Sequence, residues 1–283
     1  MKKYVILGIV IFVLLGLGVA LFIVRSDSTS KSSTTKPKQN YVALGDSVAA
    51  GIGLPTTSDS SACGRTNESY PYQLASLRGD TLKNIACSGA TFPEGIIGTQ
   101  TVNQLALPSQ INQMFSLPRP DIITLTAGAN DIHWSDTITK CYTGVCGTAA
   151  QTASIDAELV TVGANLASAL TQIQNYYKSS PPKVLVTGYY QVFPASTLGC
   201  VDLLGISSDE LAWGRAQQSK LNDTLKATAS KFSFAVYAPI DFSGHELCTS
   251  TSWVQGLADT APFHPTAAGQ TTIAQQIAKL LTQ

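Results

Sequence analysis

Charge is scarce in this sequence. Asp, Glu, Lys and Arg make up 13% of its 283 residues, and 18 acidic side chains balance 18 basic ones to a formal net charge of zero. That balance supplies neither the basic surface that nucleic acid demands nor the acidic block of a solvated tail. Histidine is scarcer still, with only His133, His245 and His264, so an imidazole base has few possible sources. The cysteines form no CxxC pair, and no histidine lies within a few residues of the closest two, Cys141 and Cys146. Zinc, the competing use of these cysteines, thus lacks its usual spacing. There is no internal repeat.

What is present is apolar. Hydrophobic residues form 44% of the chain, enough to bury the core of one large domain. The longest apolar run, residues 4–24, carries no charge and follows Lys2 and Lys3. It can cross about 30 Å of hydrocarbon as a helix with its N-terminus inside. Residues 1–25 therefore read as a transmembrane signal anchor. A cleaved signal peptide is the alternative, although no Ala-x-Ala site follows the run, and no cysteine ends it as a lipoprotein would require. Residues 26–39 are rich in Ser, Thr and Lys with nothing apolar to pack, as in a solvated linker. The folded domain is expected over 40–283, extracytoplasmic and anchored to the membrane by the N-terminal helix, or secreted if that helix is cleaved. Six cysteines in an exported domain read as three disulfides, with the pairing open.

Within 40–283, short β-branched runs at 41–46, 82–87, 121–128, 183–190 and 234–240 have the two-sided apolar character of central parallel strands. Helical spacing runs between and after them. Ile155, Leu159, Val162, Leu166, Leu170, Ile173 and Tyr177 form one stripe over 155–177; Leu211, Leu221 and Leu225 mark 209–231, and Ile273, Ile277 and Leu280 mark 266–281. The alternation predicts an α/β fold with a central five-stranded sheet, mostly parallel, and helices on both faces. Ligands of such sheets bind beyond the carboxyl ends of the strands.

Four loops fall on that edge. The first strand runs into "GDS" at 45–47, the second into "CSGAT" at 87–91, the third into "GANDIHW" at 128–134, and the last is followed by a loop reaching "FHP" at 263–265. Ser47 at a strand end is by itself an ordinary turn residue. Beside a histidine it becomes a candidate nucleophile, and His264 precedes the last helix where a side chain can reach over the sheet edge. An oxyanion needs amide donors aimed at one point, and Gly89 and Asn130 occupy suitable loops. His133 and Trp134 read equally well as cleft lining or as packing, and His245 as loop structure.

These blocks, "GDS" at 45–47, Gly89 in "SGAT", "GAND" at 128–131 and "HP" at 264–265, resemble in order and spacing the four blocks of the SGNH hydrolases, the GDSL esterase/lipase family. The cysteine placement is similar to a secreted bacterial branch of it with three disulfides. The resemblance implies a three-layer, flavodoxin-like α/β/α sandwich and a serine esterase or lipase that needs no cofactor and no metal, acting as a monomer on a lipid or small acyl ester. Ser47 would be the nucleophile and His264 the base. The amides of Ser47 and Gly89 with the Asn130 side chain would form the oxyanion hole. It further implies the disulfides Cys63–Cys87, Cys141–Cys146 and Cys200–Cys248. Two positions depart from the family. Val48 stands where many members have Leu, a change of packing. Ala261 stands where they place the aspartate that orients the histidine. Either Asp259 or the backbone carbonyl of Ala261 is left to do so, while Asp46 reads as a structural hydrogen-bonding residue. A glycan acetyl-esterase and a non-catalytic surface-binding domain are the alternative readings.

Overall fold

The structure, a computed structural model, describes residues 37–55 and 62–282. The expected membrane anchor, and the linker up to residue 36, lie outside them. Among the described residues no helix is long and apolar enough to cross a membrane.

Five parallel strands form the central sheet: β1 (Asn40–Gly45), β2 (Thr81–Asn84), β5 (Ile122–Thr126), β6 (Lys183–Thr187) and β7 (Ala235–Ala238), in the order β2-β1-β5-β6-β7. The three inner strands are buried nearly throughout, because helices cover both faces. The two outer ones are not: β2, with sequence TLKN, is exposed or half-buried at every position, and β7 exposes Val236. The expectation of two-sided burial thus holds for the middle of the sheet alone. The strands are also shorter than their apolar runs, since residues past Asn84, Thr126 and Thr187 leave the ladder and turn toward the carboxyl edge.

The helices α1 (Ser47–Ala50), α2 (Tyr70–Arg78), α3 (Gln110–Phe115), α4 (Trp134–Thr143), α5 (Ala149–Tyr177), α6 (Ser208–Ala229) and α7 (Ala267–Leu280) complete the fold, with α2 packed on α7 and α5 on α6. Helix α5 starts six residues before its apolar stripe, at the capping box of Thr148 and Gln151. The same device, Ser207 with Glu210, starts α6. Five features go beyond the predicted helices and strands: α1, α2, α3, α4 and an antiparallel hairpin of β3 (Gln100–Val102) and β4 (Leu105–Leu107). The hairpin turns on Asn103 and Gln104, both at positive φ.

The chain order reverses between β1 and β5, the crevice where such sheets bind ligands. Gly45 ends β1 there at φ 150°, and a Cβ on it would lie 2.5 Å from the Thr126 carbonyl oxygen, so the turn admits only glycine. The six cysteines form Cys63–Cys87, Cys141–Cys146 and Cys200–Cys248, the pairs that the resemblance implies. No thiolate is left for zinc.

Candidate active site

Ser47 opens the short helix α1. Asp46 caps that helix, its Oδ1 accepting from the Val48 amide at 2.9 Å, while the Asp46 amide donates to Thr126 O of β5 at 2.9 Å. The serine is therefore fixed by both strands of the crevice. Its Oγ lies 2.8 Å from Nε2 of His264, a residue 217 positions away in sequence. The Nδ1 of that ring lies 3.1 Å from the Pro262 carbonyl oxygen. A carbonyl only accepts, so Nδ1 carries the proton and Nε2 keeps its lone pair for the serine hydroxyl. Burial holds the imidazole below the usual histidine range, opposed by the Pro262 and Ala261 carbonyls, which favour its protonated form. At neutral pH the ring is thus ready to accept a proton.

Of the two expected orienting groups, a main-chain carbonyl and not Asp259 stands at the ring, supplied by Pro262 next to the expected Ala261. Asp259 is exposed, and its carboxylate accepts from the Gly256 amide at 2.7 Å. The Ala261 carbonyl accepts the His264 main-chain amide at 3.2 Å. A tight bend, with Phe263 at φ 68°, brings the Pro262 carbonyl under the ring instead. Gln255 braces this bend: its side chain donates to Pro265 O at 3.0 Å and accepts from Ala261 N at 3.2 Å, and its main chain pairs with His264 O and Phe263 N at 2.8 Å each.

Asn130 follows β5, and its side-chain amide donates to Ala90 O at 3.0 Å. That leaves a second N–H on the same nitrogen. The neighbouring Asp131 accepts from the Phe92 amide at 3.0 Å, and burial pushes its carboxyl up to about 6. The 128–131 loop is in this way clipped to the loop carrying Gly89. Gly89 is exposed, at φ 78°, and among the described residues neither its amide nor that of Ser47 donates to a protein acceptor. Two amides and one amide side chain remain available to an oxyanion.

A cleft leads to this point. Ser47, Asn130 and His264 line it together with Ile132, Trp134, Ile138, Val192, Leu221 and Phe263. Apart from Asp46 its wall carries no carboxylate, and Asp46 is itself buried under the Tyr189 hydroxyl. Of the two residues left open, Trp134 lines the cleft, whereas His133 is exposed at the N-terminus of α4. His245 stacks on Trp253 at 3.6 Å between ring centroids, as part of its loop.

Sequence reasoning missed Pro262, Tyr189 and Tyr190. The last two sit in "TGYY" and read as strand, but β6 stops at Thr187 and both reach the site, Tyr190 donating to Phe263 O at 2.9 Å. Two consecutive tyrosines at the carboxyl end of a central strand are the one signal that points to them.

Comparison with known proteins shows what the chain is similar to. Residues 43–271 match the GDSL-like lipase/acylhydrolase family. A lipase of Streptomyces rimosus is 31% identical over 241 residues, 82% of either chain. The crystal structure of an extracellular lipase from Streptomyces rimosus superposes with a TM-score of 0.68 at 27% identity, over 87% of this chain and all of that one. The structure of phospholipase A1 from Streptomyces albidoflavus gives the same TM-score and coverage at 25% identity.

Proposed function

The chain belongs to the GDSL-like lipase/acylhydrolase family and is a carboxylic ester hydrolase, and from that premise we propose that Ser47 is its nucleophile and His264 its base, acting on lipid acyl esters. The observation that carries this is the 2.8 Å contact between Ser47 Oγ and His264 Nε2 at the floor of an apolar cleft.

The chemistry follows from the donors and acceptors. His264 Nε2 takes the hydroxyl proton as Ser47 Oγ bonds to the ester carbonyl carbon, and the carbonyl electron pair moves onto its oxygen. The amides of Ser47, Gly89 and Asn130 receive that oxyanion. It collapses as the bond to the alkoxy oxygen breaks, and the imidazolium returns its proton to the leaving alcohol. Water repeats the sequence on the acyl-enzyme, releasing the acid and restoring Ser47. The Pro262 carbonyl holds the tautomer and stabilises the imidazolium, as an orienting acid would.

The cleft favours an acyl chain over a sugar. Trp134, Ile138, Val192, Leu221 and Phe263 offer a hydrocarbon tail burial worth about 0.8 kcal/mol per methylene. They offer hydroxyls few partners, which weighs against a glycan acetyl-esterase. Three disulfides require an oxidising compartment, and one similar structure is of an extracellular lipase. Both support an extracytoplasmic site of action.

The test is hydrolysis of p-nitrophenyl esters from acetate to palmitate, with Ser47→Ala as the control. Turnover that rises with chain length and vanishes in Ser47→Ala is the expected result. Turnover confined to acetate would overturn the lipid reading, and activity surviving in Ser47→Ala would overturn the nucleophile. Asn130→Ala should lower kcat by about 10² to 10³.

A further inference from the structure

The hydroxyl of Tyr189 stands between the two loops that carry the reacting groups. It donates to Asp46 Oδ2 at 2.5 Å, and it accepts from the Ala129 amide at 3.2 Å. One hydroxyl proton and one lone pair meet one acceptor and one donor, so the direction of both bonds is fixed. Asp46 immediately precedes Ser47, and its other oxygen takes the Val48 amide immediately after it at 2.9 Å. Ala129 immediately precedes Asn130. The tyrosine is itself held: Asn222 of α6 accepts from its amide and donates to its carbonyl, both at 2.8 Å. A side chain just past β6, held by α6, thus reaches both the nucleophile turn and the loop of Asn130.

We propose that Tyr189 is a positioning residue that sets the distance between Ser47 and the Asn130 amide by bonding the chain beside each of them. The Asp46 amide already ties the nucleophile turn to Thr126 O at the end of β5, and the hydroxyl is the joint that extends this tie to Ala129, beside Asn130. Tyr189 lines the cleft, but its hydroxyl is engaged by Asp46 and Ala129, so removing the hydroxyl while keeping the ring should spare binding. The inference rests on the roles of Ser47 and Asn130 proposed above. Ser47→Ala tests those roles separately: if that variant keeps activity, the reading of the site fails whatever Tyr189 does.

The experiment is Tyr189→Phe in the full chain, assayed at pH 8 on a soluble ester. Phenylalanine fills the same space and removes only the joint. The expected result is a kcat lower by about 10- to 100-fold, as small misplacements of reacting groups produce, with KM within about twofold. A folded variant whose kcat stays within about twofold of wild type overturns the proposal, as does a loss confined to KM. The Tyr189→Phe, Asn130→Ala double variant should lose less than the product of the single losses; a full product overturns action through Asn130. Should Tyr189→Phe fail to fold, Asp46→Asn keeps the Val48 cap and weakens the same joint. It should show the same loss of kcat at constant KM, and a wild-type kcat there overturns the proposal.

Discussion

The Tyr190 hydroxyl donates to the main-chain carbonyl of Phe263 at 2.9 Å. This bond ties the end of β6 to the bend that carries His264, and Phe263 sits at its tightest point, with φ 68°.

Tyr190→Phe should loosen that bend without emptying the space the ring occupies. A buried bond of this kind contributes about 1 kcal/mol, so Tm falls modestly. The larger effect should fall on kcat, because His264 loses its fixed reach to Ser47 Oγ. Steady-state kinetics beside a thermal melt checks this, and an unchanged kcat would contradict it.

The pH dependence should be set by the buried imidazole. His264 must be neutral to take the Ser47 proton, and burial lowers its pKa from the usual 6.5. The ring binds its proton less readily folded than unfolded. The ring therefore stays competent as pH falls through 6.5, and its own protonation removes activity only at lower pH. An NMR titration of the His264 ring protons should give a midpoint below 6.5, and a midpoint above it would contradict the assignment.

Asp259→Ala separates the two ways of orienting that ring. Loss of an orienting carboxylate costs about 10⁴ in kcat where one acts. Here the Asp259 carboxylate serves the Gly256 amide, so kcat should stay within about twofold of wild type. A collapse of activity would restore the acid.

Removing the Cys200–Cys248 bridge by paired serine substitution opens a loop with a sequence separation of 48. The chain-entropy account puts the loss near about 4 kcal/mol. The Cys141–Cys146 bridge, with a separation of 5, should contribute about 2 kcal/mol on the same account. Chemical denaturation of the two variants should preserve that order.

Much of this was legible in the sequence, for identifiable reasons. The inner strands and the long helices announce themselves because burial demands apolar residues at fixed periods, as from Ile155 to Ile173 in α5. Ser47, Gly89, Asn130 and His264 stand out because each task proposed for them admits few residue types. Other features leave weaker traces. Strand β2 has only four residues, TLKN, with a single apolar side chain. The hairpin depends on a two-residue turn at Asn103 and Gln104, too short to leave a pattern. Tyr189 and Tyr190 resemble strand residues until the ladder ends before them. The Pro262 carbonyl leaves no trace, since every residue carries one.

That last feature reaches beyond this catalytic centre. An orienting group made of main chain cannot be deleted by changing a side chain, so an alanine scan would report Ser47 and His264 and overlook their third partner. What must be inherited is a bend, kept by Gln255, Tyr190 and the positive φ of Phe263. Any residue at position 262 would carry the same carbonyl, provided the curvature survives. The information that a carboxylate would concentrate in one codon is here spread over a loop, and damage to it should surface as scattered, partial losses of turnover at residues that touch no substrate.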